Sequence, residues 1–247
     1  IIFCALLGVA SGLSTIKLIL DKSDVVMNIA GLGNSEVSFI YDDKGNEITR
    51  LGVEDRINIS YSEMPQSLID AFVAIEDKRF WEHEGVDWYR TLAAGANYLL
   101  GVSKRFGAST ITQQLIKNVT GENDTTIQRK IQEIFRALNV EKKYDKTEIM
   151  EMYLNTIYLS HNSYGVRVAA KTYFNKELHE LTLAECASIA SIGKWPTHYD
   201  PISNPKNNLT RRNLVLKLML EQGKITQEEF DEAYDAPLNL GGDKEED

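Results

Sequence analysis

The sequence predicts a mainly α-helical domain, preceded by a small β-hairpin and opening on an apolar segment of membrane character. Three observations predict it. A helical hydrophobic period sets in at Pro65, N-cap signatures recur along the chain after it, and a short stretch of strict alternation lies before it. The 247 residues are 43% apolar and 26% charged, which is ordinary globular usage and excludes disorder for the bulk of the chain.

Residues 1–16 carry no charge and are rich in Ile, Leu, Val and Ala. That run is shorter than the ~20 residues needed to cross a bilayer. Because the first residue is Ile rather than Met, residues 1–20 read as the outer part of a transmembrane helix whose start and basic flank lie upstream. A signal-peptide core or a buried helix is the alternative. Residues 21–64 read as a linker with a small hairpin: Val37, Phe39 and Tyr41 alternate with polar residues, and Asp42 to Asn46 is turn chemistry leading to Ile48.

From Pro65 the period changes. Leu68, Phe72 and Ile75 form one stripe behind a Pro at the first helical turn, so Glu76 falls at the end of a buried helix. Trp88 to Arg105 is an aromatic and aliphatic stretch that ends in Lys104, Arg105 and Gly107. It reads either as a core helix or as a helix against lipid headgroups. Capping boxes at Thr110/Gln113, Thr125/Gln128, Thr182/Glu185 and Thr226/Glu229 announce four further helices. Gly223 is placed to close the helix of Leu214, Leu218 and Met219. After Gly241 and Gly242, the acidic tail to Asp247 has the character of a linker toward a following domain.

The two cysteines, Cys4 and Cys186, both sit in apolar runs, so neither a disulfide nor a Cys/His metal site is expected. A net charge of −9 argues against nucleic acid as a partner, and any anionic substrate must be held by a local basic cluster.

Such a cluster is visible. On the helix predicted from Thr126 to Val140, Ile127, Ile131, Ile134, Phe135 and Leu138 form the apolar stripe, leaving Arg129, Lys130 and Glu133 together on the other side. The plain alternative is a solvated face with an i,i+4 pair. On the helix that begins near Thr110, the polar residues Thr110, Gln114 and Lys117 share one side while Ile111 and Leu115 face away. Ser109 and Thr110 stand at its N-terminus, where free N–H groups favour a phosphate and where ordinary capping is equally served. Glu76 and Asp77 are adjacent, so on a helix they point about 100° apart and only one can face a cleft. Glu76 suits a general base, Asp77 an orienting role, and His83 a structural hydrogen bond.

Taken together, Glu76-Asp77-x-x-Phe80-x-x-His83-x-Gly85, Gly107-x-Ser109-Thr110-Ile111-Thr112-Gln113-Gln114 and Arg129-Lys130-x-x-Glu133 resemble, in that order, the motifs of the peptidoglycan glycosyltransferase domain (glycosyltransferase family 51). That domain belongs to class A penicillin-binding proteins and their monofunctional relatives. Lys146 to Asn155 and Ala169 to Phe174 are similar to two later motifs, read as scaffold. Ala108 and Asn175 stand where Gly is common in the family, and the Gly193 to Pro201 loop replaces a stretch of small residues.

The resemblance implies a lysozyme-like, two-lobed helical domain over residues 65–240 that polymerises lipid II into β-1,4 glycan with inversion. It implies Glu76 and Glu133 as the catalytic glutamates. The substrate-binding positions would be Asp77, Phe80, His83, Ser109, Thr110, Gln113, Gln114, Lys117, Arg129 and Lys130. A divalent cation, Mg or Mn, near Glu133 is compatible with this reading and not required by it. The implied partners are lipid II, the growing glycan strand, the membrane, a transpeptidase domain in the same chain and other cell-wall synthesis proteins. The implied location is a single-pass anchor with the domain on the extracytoplasmic face. Two rival functions are a lysozyme-like glycan hydrolase, which has no need of the cations, and a non-catalytic lipid-II-binding scaffold, which has no need of the glutamates.

Overall fold

A computed structural model of the chain describes residues 38–41, 47–51, 55–56, 58–99, 109–121 and 126–241. The expected membrane segment at 1–20, the turn at 42–46, Gly107, Ala108, Thr125 and the tail beyond Gly241 lie outside these residues. Among those described, the fold is mainly helical, and no helix is long and apolar enough to cross a membrane.

Strands β1 (Ser38–Tyr41) and β2 (Glu47–Leu51) pair antiparallel, with Ser38 opposite Leu51 and a register irregularity between Ile40 and Tyr41. The third strand, β3 (Asp55–Arg56), pairs in parallel with β4 (Ser163–Tyr164), over a hundred residues later. A 3-10 turn at Tyr61–Glu63 then leads into α1 (Gln66–Glu76), with Pro65 at its N-cap. There follow α2 (Trp88–Leu99), α3 (Ile111–Thr120), α4 (Ile127–Lys143), α5 (Lys146–Thr156), α6 (Val166–Phe174), α7 (Leu183–Ile192), α8 (Pro205–Glu221) and α9 (Gln227–Asp235).

The core is organised around α7, which is buried along its whole length from Ala184 to Ile192 and packs on α1 and α8. A helix apolar on all sides belongs at the centre of a domain. Leu68, Ile69, Phe72 and Val73 of α1 fill the space beside it, each worth about 1.5–3 kcal/mol of burial. Asn208 of α8 satisfies the few polar groups there: it accepts from Ser188 Oγ at 2.7 Å and donates to the Tyr199 carbonyl at 2.8 Å. A second layer packs α3 on α4 and α5.

The caps are mostly where the sequence predicts them. Thr110, Thr182 and Thr226 each close a capping box, and Gly223 follows α8 with φ 66°. Asn175 ends α6 in the left-handed conformation, φ 53°, which an Asn tolerates. At the start of α4, Thr126 accepts the Arg129 N–H at 3.2 Å, one residue after the capping threonine the sequence suggests. Either threonine satisfies a Thr-x-x pattern, and only the backbone direction on entry decides between them.

Candidate active site

Glu76 is the last residue of α1, and its side chain is 12% exposed. One carboxylate oxygen, Oε2, accepts from Gln114 Nε2 of α3 at 2.9 Å. The other, Oε1, is buried and meets no hydrogen-bond donor among the described residues, although Arg211 of α8 holds its guanidinium 3.7 Å away. The amide is itself oriented: Tyr153 O–H of α5 donates to Gln114 Oε1 at 3.2 Å, so the nitrogen must face Glu76. Burial above all, and then the nearby Glu76 and Asp77 charges, push the Tyr153 phenol well above the usual tyrosine value, which keeps it a donor.

Asp77, the C-cap of α1 with non-helical dihedrals, meets a different set of partners and is wholly buried. Its Oδ2 accepts from the Ile111 N–H at 3.0 Å and pairs with His83 Nε2 at 2.9 Å, while Arg90 lies 3.4 Å from Oδ1. The N-terminus of α3 therefore already holds an anion, and it is one of the chain's own. This takes the Ile111 N–H away from any external phosphate. Thr110 is equally committed: its hydroxyl donates to the Gly85 carbonyl at 2.6 Å and accepts from the Gln113 N–H. Gly85 makes that contact with φ +82°, and a Cβ there would lie 2.7 Å from the Ala137 carbonyl of α4, so only glycine fits between the loop and that helix.

Arg79 grips Asp87 through Nε at 3.0 Å and through a second, shorter contact from Nη2. Burial raises the Asp87 carboxyl, but the Arg79 hydrogen bond, the Arg90 N–H and both arginine charges more than offset it and hold it below the ordinary range.

The third group of residues is not a solvated face. Glu133 is 4% exposed, with Arg129 Nη1 at 2.6 Å from Oε2 and Lys130 Nζ at 2.5 Å from Oε1. Lys130 also donates to Ser109 Oγ at 2.9 Å, tying α4 to the start of α3. The half-buried Arg129 and Lys130 are thus fixed in position by a buried carboxylate. Glu133 does not fit the divalent cation considered near it, since both oxygens are engaged and two positive charges oppose a third. Among the described residues, no cluster of three His, Cys, Asp or Glu is placed to hold a metal ion.

The predicted site residues therefore separate into two sets. Glu76, Gln114, Ser109, Arg129 and Lys130 are partly accessible, and Lys117 is exposed. Phe80, Asp77, Thr110 and Gln113 are buried, so they shape the site from behind and do not touch a ligand in this conformation. Phe80 packs edge-on against Trp81 and beneath the Lys146 ammonium, 4.5 Å from its ring centre. His83 has the structural hydrogen bond expected of it. Tyr153 and Arg211 are the two residues that sequence reasoning missed: the first was read as scaffold and the second was not singled out. The signal for Arg211 was its neighbour. Both adjacent arginines fall on the face of α8 that buries Asn208, Val215, Leu216 and Met219. Arg212 indeed turns inward to the Tyr234 and Ala236 carbonyls, at 2.7 Å each.

Comparison with known proteins shows the family of the chain. The family described as Transglycosylase matches residues 44–220, and the chain belongs to it. Penicillin-binding protein 1A of Aquifex aeolicus is 45% identical over 206 residues, covering 83% of this chain and 28% of that protein. Penicillin-binding protein 1F of Bacillus subtilis is 38% identical over 238 residues, 96% of this chain and 32% of the relative. Among solved structures, penicillin-binding protein 1A from Haemophilus influenzae matches with a TM-score of 0.50 and 30% identity, over 83% of this chain and 21% of that one. The chain spans about a third or less of the length of these relatives.

Proposed function

We propose that this chain is a peptidoglycan glycosyltransferase that extends a β-1,4 glycan from lipid II. The observation that carries the proposal is the setting of Glu76: a carboxylate at the end of α1 that keeps 12% exposure, with Gln114 bonded to one oxygen and Arg211 3.7 Å from the other. The acceptor sugar's 4-hydroxyl donates to the exposed part of this carboxylate. Glu76 takes its proton as the oxygen attacks C1 of the donor sugar, and the C1–O bond to the lipid pyrophosphate breaks with inversion. Arg129 and Lys130, with Lys117, meet the charge that develops on the leaving pyrophosphate. Glu133 keeps the first two in place, so no reorganisation is needed at the moment of reaction. Loss of one such preorganised donor costs about 3 kcal/mol of transition-state stabilisation.

A hydrolase of the lysozyme kind would need a second carboxyl able to give a proton to the leaving sugar oxygen. Glu133, with both oxygens engaged by Arg129 and Lys130, is not free to serve as the partner carboxyl of Glu76. The same reading takes residues 1–20 as the membrane anchor, residues 65–240 as a lysozyme-like, two-lobed catalytic domain on the extracytoplasmic face, and residues 241–247 as a linker toward a transpeptidase domain.

The test is polymerisation of labelled lipid II in detergent, with products resolved by gel. Wild type makes long strands, whereas Glu76→Gln makes none and keeps the wild-type melting temperature. Near wild-type polymer from Glu76→Gln would sink the assignment of the base, and shortening of preformed glycan would show a hydrolase.

A further inference from the structure

We propose that Trp195 and His198 form a saccharide-stacking subsite for a sugar ring of the glycan, linked to Glu76 through Tyr199 and Arg211. The inference rests on the function proposed above. Trp195 is 58% exposed, and its indole lies nearly flat on the His198 imidazole, 4.4 Å between centroids and 20° between planes. With one face covered by His198, that exposure leaves the other face to solvent. His198 in turn meets Tyr199 edge-on at 4.8 Å, the Arg211 guanidinium lies 4.8 Å over the Tyr199 ring, and the same guanidinium reaches Glu76 at 3.7 Å. An unbroken series of contacts thus leads from an open aromatic surface to the proposed base.

The surface is rigid. The Trp195 N–H donates to the Ile192 carbonyl at 3.2 Å, and the Trp195 carbonyl accepts from both His198 and Tyr199 at 3.0 Å. Three asparagines at the start of α8 hold the loop from below: Asn204 donates to the Thr197 carbonyl, Asn207 to His198 and Asn208 to Tyr199. A ligand that stacks here pays little to order its receptor.

A pyranose matches this platform chemically. Its C–H face is weakly positive and apolar and suits the negative face of an indole, while its hydroxyls need polar groups at the edge. Lys194 and Thr197, exposed on the same loop, are the polar side chains flanking Trp195 in sequence. The exposed side of α2 is different in kind: Trp88, Tyr89 and Leu92 stand out from it together, as an apolar face.

The experiment uses the whole chain in detergent, with tetra-N-acetylchitotetraose as a soluble probe followed by tryptophan fluorescence. Lipid II polymerisation is measured in parallel. Wild type and Glu76→Gln should show a saccharide-dependent change in emission that is absent from Trp195→Ala. In polymerisation, Trp195→Ala should raise KM about fivefold with kcat nearly unchanged and should shorten the strands, while Trp195→Phe recovers most of the loss. Equal saccharide binding, KM and strand length in Trp195→Ala would overturn the proposal. So would loss of association with phosphatidylglycerol vesicles while saccharide binding persists, which would assign the indole to a lipid surface. If wild type fails to polymerise yet binds the saccharide through Trp195, the function proposed above falls and the subsite stands.

Discussion

Replacing Tyr153 with Phe removes a single oxygen, the one that fixes which end of the Gln114 amide faces Glu76. In the native arrangement the phenol donates to Gln114 Oε1 at 3.2 Å, and Gln114 Nε2 donates to the carboxylate at 2.9 Å. Without the phenol, either Oε1 loses its donor, at about 1–3 kcal/mol, or the amide turns and presents oxygen to the carboxylate, forfeiting a charge-assisted bond of similar worth. Taking about 1.4 kcal/mol at the transition state, kcat falls roughly tenfold, while stability drops by about 1 kcal/mol, a few degrees in Tm for a chain of this size.

The assay is the initial rate of lipid II polymerisation across a range of pH, with thermal unfolding measured alongside. Because burial holds the phenol protonated well above the usual tyrosine value, ionisation of the phenol itself does not bend the wild-type rate profile near neutral pH. The alkaline limb of stability separates wild type from variant. In wild type the unfolded chain's Tyr153 ionises near pH 10 while the folded one resists, so stability is lost as pH rises beyond that value, and Tyr153→Phe lacks this component. A Tyr153→Phe enzyme that polymerises at the wild-type rate would refute the reasoning, because Gln114 would then be oriented by something else.

Two further predictions concern the frame around the site. Asp87 has a lowered carboxyl in the fold, so its contribution to stability is present above the unfolded value near pH 4 and fades as pH falls through the folded one. Asp87→Asn should therefore cost about 1 kcal/mol at neutral pH, the Arg79 side being partly exposed, and should flatten the acid limb of a pH-dependent denaturation curve. Gly85→Ala should destabilise by more than about 2 kcal/mol in a urea titration, because φ +82° and the Ala137 carbonyl 2.7 Å from the new Cβ are penalised together. An alanine variant with unchanged midpoint would mean that the loop moves off α4 freely.

What the sequence by itself determined about this protein is its local grammar and its candidate chemistry. The threonine caps at 110, 182 and 226, the end of α1 at Glu76, the stop at Gly223 and the left-handed Asn175 are decided within a few residues, by backbone groups and side chains of the same turn. Adjacency alone also implied that Glu76 and Asp77 diverge. The family motifs marked Arg129, Lys130 and Glu133, but not that Glu133 is buried between its two cations, since the apolar period of α4 leaves that face looking solvated.

Only the tertiary structure decided which motif residues reach the surface and which residues outside the expected set join them. Gln114 and Tyr153 are 39 residues apart, and Arg211 enters from α8, so their meeting at Glu76 depends on how α1, α3, α5 and α8 cross. The same crossings bury Phe80, Asp77 and Thr110 behind the site. A helix period tells which residues share a face. What that face meets is set by packing between segments far apart in the chain, and no spacing within one segment encodes it.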